Sequence, residues 1–211
     1  MKKRYKISLS IVFIFILLIS AGYFWLINGW KKYLTEEELI AYTTETKKEP
    51  PLPKEYKELY FTLYPKQKDA SLTIELIERL IQNLFYKNGM GTEQNCSCDE
   101  AAYQDIIYLL RHRKPTREYD RLLAIKIGFG MEKYLSNEDC LNHHIRSEYR
   151  EYSHLKEGYG FEGKNFDDLN RVEIIDFLIA VRAPSIYSPR RRQENYIRAK
   201  EGIEARLKQN N

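Results

Sequence analysis

Three cysteines, four histidines and one run of arginines hold most of the side chains that could do chemistry in this chain. Cys96 and Cys98 are separated by one residue, and such pairs rarely bond each other because disulfide geometry is narrow. A bridge from either to Cys140 would leave an odd thiol, and free, partly buried thiols are the simpler reading. His143, His144 and His154 follow Cys140. The spacing matches no established zinc pattern, so no metal is expected. Neighbouring residues on a helix point about 100° apart, so His143 and His144 read as surface or partly satisfied imidazoles. The stretch Gly158-Tyr159-Gly160-Phe161-Glu162-Gly163-Lys164 lacks the spacing and strand-to-helix setting of a phosphate loop. No Gly-x-Ser-x-Gly elbow occurs. Arg190-Arg191-Arg192, with Arg198 and Arg206, is the one local basic patch. It reads either as a solvated helix start or as a site for phosphate groups on lipids or a lipid-linked substrate.

The elements that must position these residues read as helices. Thr35–Tyr42 is a short amphipathic helix, and TTETKKEPPLP (43–53) is a polar spacer that proline keeps from helix. Leu72, Leu76, Leu80, Ile81 and Leu84 recur at helical spacing, and Gly89 ends that helix. Ser97 with Glu100 predicts a capping box ahead of AAYQDIIYLLRH, which Pro115 stops. Thr116 caps a helix that turns Leu122, Leu123, Ile125, Ile127 and Met131 inward, and Ser136 caps another through about Glu151. Asn170 with Glu173 repeats the box before VEIIDFLIAV, and Pro189 opens a basic last helix. No run alternates with period two long enough for a sheet. The fold expected is mainly α, a domain of five or six helices.

Charge sorts the chain into two parts. Residues 1–30 contain four bases and no acid, while the remaining 181 residues carry 30 bases and 30 acids. The pI of 8.8 therefore reflects the N-terminus, and a nucleic-acid footprint is excluded. Ile7–Ile27 is free of charge, and at about 1.5 Å per residue it spans roughly 30 Å, a bilayer core. The preceding bases place the N-terminus in the cytoplasm and the rest outside. The rival reading is a cleaved secretory signal; either way the domain is exported. The organisation expected is a basic cytoplasmic tail (1–6), a transmembrane anchor (7–30), a juxtamembrane helix and spacer (31–53), and a domain over 54–211.

From Asp168 to Leu207 the chain resembles the family 51 peptidoglycan glycosyltransferases, the transglycosylase domains of class A penicillin-binding proteins and monofunctional transglycosylases. The residues that carry this are Leu169, Glu173 in an apolar helix, Ala183-Pro184-Ser185-Ile186-Tyr187-Ser188-Pro189, and a basic helix ending in Arg206-Leu207. Phe161 and Gly163-Lys164 fall where the family has "YFGK", and Glu132-Lys133 with Ser136-Asn137-Glu138 resembles "E-R-R-Y-S-K-D-E". Leu80, Asn83, Leu84 and Phe85 resemble the end of "TITQQLAKNLF". The resemblance implies a lysozyme-like, α-rich glycosyltransferase domain outside the membrane behind one N-terminal transmembrane helix. It also implies a role in cell-wall assembly, with membrane lipid, lipid-linked precursor, glycan strands or a synthase as partners.

The departures bear on catalysis. The family's first catalytic glutamate, in "E-D-x-x-F-x-x-H-x-G", has no counterpart in YKELYFTLYPKQKD (56–69), and Ala124 stands where the second would be. Glu78 and Arg79 replace the two glutamines of "TITQQ", and residues 87–118 are inserted where the family has a short link. Glycosyl transfer needs a base for the acceptor hydroxyl and electrostatic help for the departing diphosphate. The expectation is therefore a catalytically inactive domain that binds glycan, precursor or a synthase. Two alternatives remain: a divergent active enzyme using Glu75, Glu78 or Glu132, and a membrane-anchored interaction protein unrelated to wall glycan. Phosphate-binding candidates are Arg79, Arg121, Lys164, Arg190, Arg191 and Arg192. No cofactor is expected, a divalent cation entering only if the domain is active.

Overall fold

A computed structural model describes residues 2–65, 71–85, 96–106, 110, 120–151, 161, 163–182, 189 and 192–209. The side chains of residues 2–12, 15, 79–85, 106, 120, 151 and 182 lie outside that description. Among the described residues there is no strand, so the chain is mainly helical. The α-helices are α1 (Lys2–Asn28), α2 (Glu36–Thr46), α3 (Lys54–Leu63), α4 (Leu72–Phe85), α5 (Ser97–Ala101), α6 (Asp120–Met131), α7 (Asn137–Glu151), α8 (Arg171–Arg182) and α9 (Gln193–Gln209). Among the described residues no helix is long and apolar enough to cross a membrane.

Two clusters form the core. The first packs Trp30, Leu39, Leu72, Leu123, Ile127 and Met131 around Cys98 and Cys140. The second packs Tyr56, Leu59, Leu141, Ile145, Phe166 and Phe177 with the apolar residues Ile174, Ile175, Leu178 and Ile179 of α8. Helix α7 joins them, because Cys140 faces the first cluster and Leu141, Ile145 and Tyr149 the second.

Local chemistry explains three of the helix starts. Thr35 accepts from the Glu38 amide at 3.2 Å while Glu38 accepts from the Thr35 amide at 2.9 Å, a complete capping box. Ser136 with Asp139 and Asn170 with Glu173 do the same for α7 and α8. Residues Ile174–Ala180 of α8 are all buried. Asp176 is the polar exception, and it accepts from the Tyr196 hydroxyl (2.6 Å) and Lys200 (2.8 Å) of α9.

Several expectations are corrected. The cap of α5 is Cys96, not Ser97, and no side chain bonds there; after Ala101 the helix widens into a π turn, Ala102–Ile106. The last helix begins at Gln193, and Pro189 lies in a turn before it. Helix α3, unforeseen, buries Tyr56, Leu59, Tyr60 and Leu63 at helical spacing. Trp30, expected at the end of the anchor, and Tyr33, Leu39 and Leu52 of the juxtamembrane helix and spacer are all buried in the core. Gly130 makes room for this, since a Cβ there would sit 2.9 Å from Trp30 and 3.0 Å from Leu39. Part of the 87–118 insertion is core as well, through Cys96, Cys98, Ala101, Ala102 and Leu110. The expected ends at Gly89 and Pro115, the Thr116 cap and the Ala183–Ser188 stretch of the family resemblance lie outside the described residues.

Candidate functional site

Glu75, Glu132 and Arg121 converge on the start of α5. Glu132 follows α6 and accepts from the Leu72 amide at 2.7 Å and from the Cys96 thiol at 3.5 Å. Glu75, buried on α4, accepts from the Cys96 amide at 2.5 Å. Arg121 of α6 donates to Glu100 at 3.0 Å and pairs with buried Asp99 at 2.9 Å. Burial raises the Glu132 carboxyl above its ordinary range, the amide of Leu72 works against this, and the Glu75 charge adds to it. Hydrogen bonds to Glu100 and the charge of Asp99 hold Arg121 protonated against the cost of burial.

A general base must reach the proton it removes at roughly 2.6–3.2 Å. Glu75 and Glu132 instead direct an oxygen each at a neighbouring backbone amide, so they join α4, α6 and the insertion. Glu78 is exposed on α4. The Arg79 side chain, Arg190 and Arg191 lie outside the described residues, and Arg192 is exposed ahead of α9.

Cys98 is bonded to Cys140 across a sequence separation of 42, so the reading of three free thiols is corrected. Cys96 remains free and buried. Burial and the Glu132 carboxylate push its thiol far up, which makes it a poor nucleophile. Donor atoms of Cys96, Cys98 and Glu132 lie within 4.8 Å of one another. With the Cys98 sulfur spent on the disulfide, the two donors left fall short of a zinc ligand set.

Of the two readings of the histidines, the surface one is corrected: both rings are enclosed by protein and hydrogen-bonded. His143 lies between two carboxylates, with Nδ1 3.0 Å from Glu49 and Nε2 2.5 Å from Asp105. The Tyr42 hydroxyl is 2.8 Å from the same Nε2. Burial lowers the pKa of His143, but the bonds to Asp105 and Glu49 outweigh it and carry the value up to about 9. His144, packed against Gln104 at 3.0 Å, is driven by burial down to about 4. One imidazole is a cation at neutral pH and its neighbour is neutral.

Arg146 continues this seam. It pairs with Asp167 at 2.7 and 3.1 Å and donates to the carbonyls of Pro50 (2.9 Å) and Pro51 (3.1 Å). Beside it opens a groove of about 400 Å³ whose lining includes Glu49, Arg150, Lys164, Asn165, Asp167 and Asp168. Lys164 pairs there with Glu173, which also serves as the α8 cap. None of the carboxylate candidates lines this groove. Sequence reasoning passed over Tyr42, Glu49, Asp105 and Arg146, which come from distant segments with no shared spacing. The chain matches no protein-family model, no curated protein and no solved structure.

Proposed function

We propose that this is a membrane-anchored, exported, peptidoglycan glycosyltransferase-like protein of cell-wall assembly, lysozyme-like in fold, that binds without polymerising. The anchor is α1 at the cytoplasmic membrane, with the N-terminus in the cytoplasm and the domain outside. Supporting it are a single helix from Lys2 to Asn28 and the exposure of Phe13, Ile14, Ile16, Leu17, Leu18 and Ile19. A disulfide accords with an oxidising compartment.

One observation carries the non-catalytic reading. Buried Glu75 and half-buried Glu132 each direct an oxygen at a backbone amide, and the third candidate, Glu78, faces solvent. The mixed-charge groove at Arg150 and Lys164 offers donors and acceptors suited to glycan hydroxyls and amides, and it is the binding surface in this reading. Lipid-linked precursor, glycan strands or a synthase are its partners.

The test uses the full chain in detergent with lipid-linked disaccharide precursor, scoring binding and polymer separately. Binding without polymer is expected, weakened by Arg150→Ala. Polymer above background would replace this reading with the divergent enzyme, and Glu78→Gln or Glu132→Gln would then identify its base. Absence of both binding and polymer would favour an interaction protein outside wall assembly.

A further inference from the structure

Four lysines gather on aromatic rings where α1 enters the packed body. Lys31 and Lys133 lie 5.7 and 5.0 Å from the centroid of the Trp30 ring. Lys32 lies 5.1 Å from that of Tyr33, and Lys126 only 3.6 Å from that of Trp25. Lys31, Lys32 and Lys133 are exposed, whereas Lys126 is buried beneath Trp25. Among the described residues neither Lys31 nor Lys133 has a carboxylate within ion-pair distance. The nearby acid Glu36 is engaged by the Tyr134 hydroxyl at 2.7 Å.

An aromatic face attracts an ammonium without consuming its charge, and its N–H donors remain able to reach an anion. The location selects which anion. The exposed apolar surface of α1 runs up to Phe24 and Trp25, and the lysines begin within two turns of it. Apolar surface, then rings, then ammonium groups is the order in which acyl chains, the interface and headgroup phosphates are met. A soluble phosphate or an acidic peptide would leave the adjoining apolar surface uncovered. The geometry points to Lys31 and Lys133 of this collar as a binding site for the phosphate of anionic phospholipids in the leaflet facing the domain. It rests on the anchored reading above and is separate from the Arg190–Arg192 patch.

Trp25 and Trp30 are the chain's two tryptophans, so intrinsic fluorescence reports on the collar itself. The full chain is placed in phosphatidylcholine vesicles at low salt with equal mole fractions of brominated phosphatidylglycerol or brominated phosphatidylcholine. The anionic lipid should quench several-fold more effectively. Lys31→Gln with Lys133→Gln should abolish that selectivity, since each lysine near the surface is worth roughly fivefold in affinity for an anionic membrane, leaving quenching by brominated phosphatidylcholine unchanged. An unaltered emission maximum in detergent shows that the variant is folded. Equal quenching by the two lipids in the native chain, or selectivity that survives in the variant, overturns the collar and leaves the anchor standing. Quenching by neither lipid overturns the anchored reading itself.

Discussion

Replacing His143 with Gln takes away the imidazolium between Glu49 and Asp105, at a position where solvent screens little: its side chain is 7% exposed. Its pKa rises from 6.5 to about 9 on folding, and at about 1.4 kcal/mol per unit the native state gains about 3 kcal/mol from the bound proton. Because the folded value lies above the unfolded one, this stabilisation is complete below pH 6.5. It declines as pH rises through the window to about 9, and is absent above it. His144 acts in the opposite direction. Its folded pKa of about 4 lies below 6.5, so protonation favours the unfolded chain and stability is lost as pH falls from 6.5 towards 4. The combined contribution of these two adjacent residues is therefore greatest near pH 6.5. Urea unfolding of the full chain in zwitterionic micelles, from about pH 5 to 10, would measure this. The native protein should lose about 3 kcal/mol between pH 6.5 and 9. His143→Gln should begin lower by about that amount at pH 6.5 and stay nearly flat to about pH 8.5, above which the raised Cys96 thiol lowers stability in both proteins. A variant that keeps the native alkaline slope would refute the reasoning, because the proton would then reside elsewhere.

Breaking Cys98–Cys140 by reduction or by Cys140→Ser should cost about 4 kcal/mol from the 42-residue separation it closes, read as a lowered melting temperature. Alkylation of the unreduced, denatured chain should label Cys96 alone. Gly130→Ala should cost about 1–3 kcal/mol, since its Cβ would press on the Trp30 ring at 2.9 Å. The change should be visible in the Trp30 emission. Arg121→Ala should destabilise by about 3 kcal/mol through loss of the guanidinium from buried Asp99, whereas Glu78→Gln, at an exposed position, should stay within about 0.5 kcal/mol of the native chain. Equal effects of these last two in thermal melts would contradict the placement of α4 and α6.

Local rules read correctly wherever an element is stabilised by its own neighbours in sequence. The box at Asn170 and the Ser136 cap needed only residues three positions apart, and the apolar run of α8 needed only its composition. The same rule failed at Ser97, because Glu100 is held by Arg121 and the Cys96 amide by Glu75. A competing partner from another helix decides such a cap, and no window of sequence contains it. The cysteine pairing, the opposite protonation of His143 and His144, and the core position of Trp30 have the same origin. Each depends on which distant groups burial brings within about 3 Å, and at that range desolvation and hydrogen bonding outweigh residue type. For the carboxylate candidates, sequence supplied Glu75, Glu78 and Glu132 as equals. Only packing separated two acids turned onto backbone amides from one left in solvent, since the direction of a side chain is set by the helix it stands on and by what that helix is packed against.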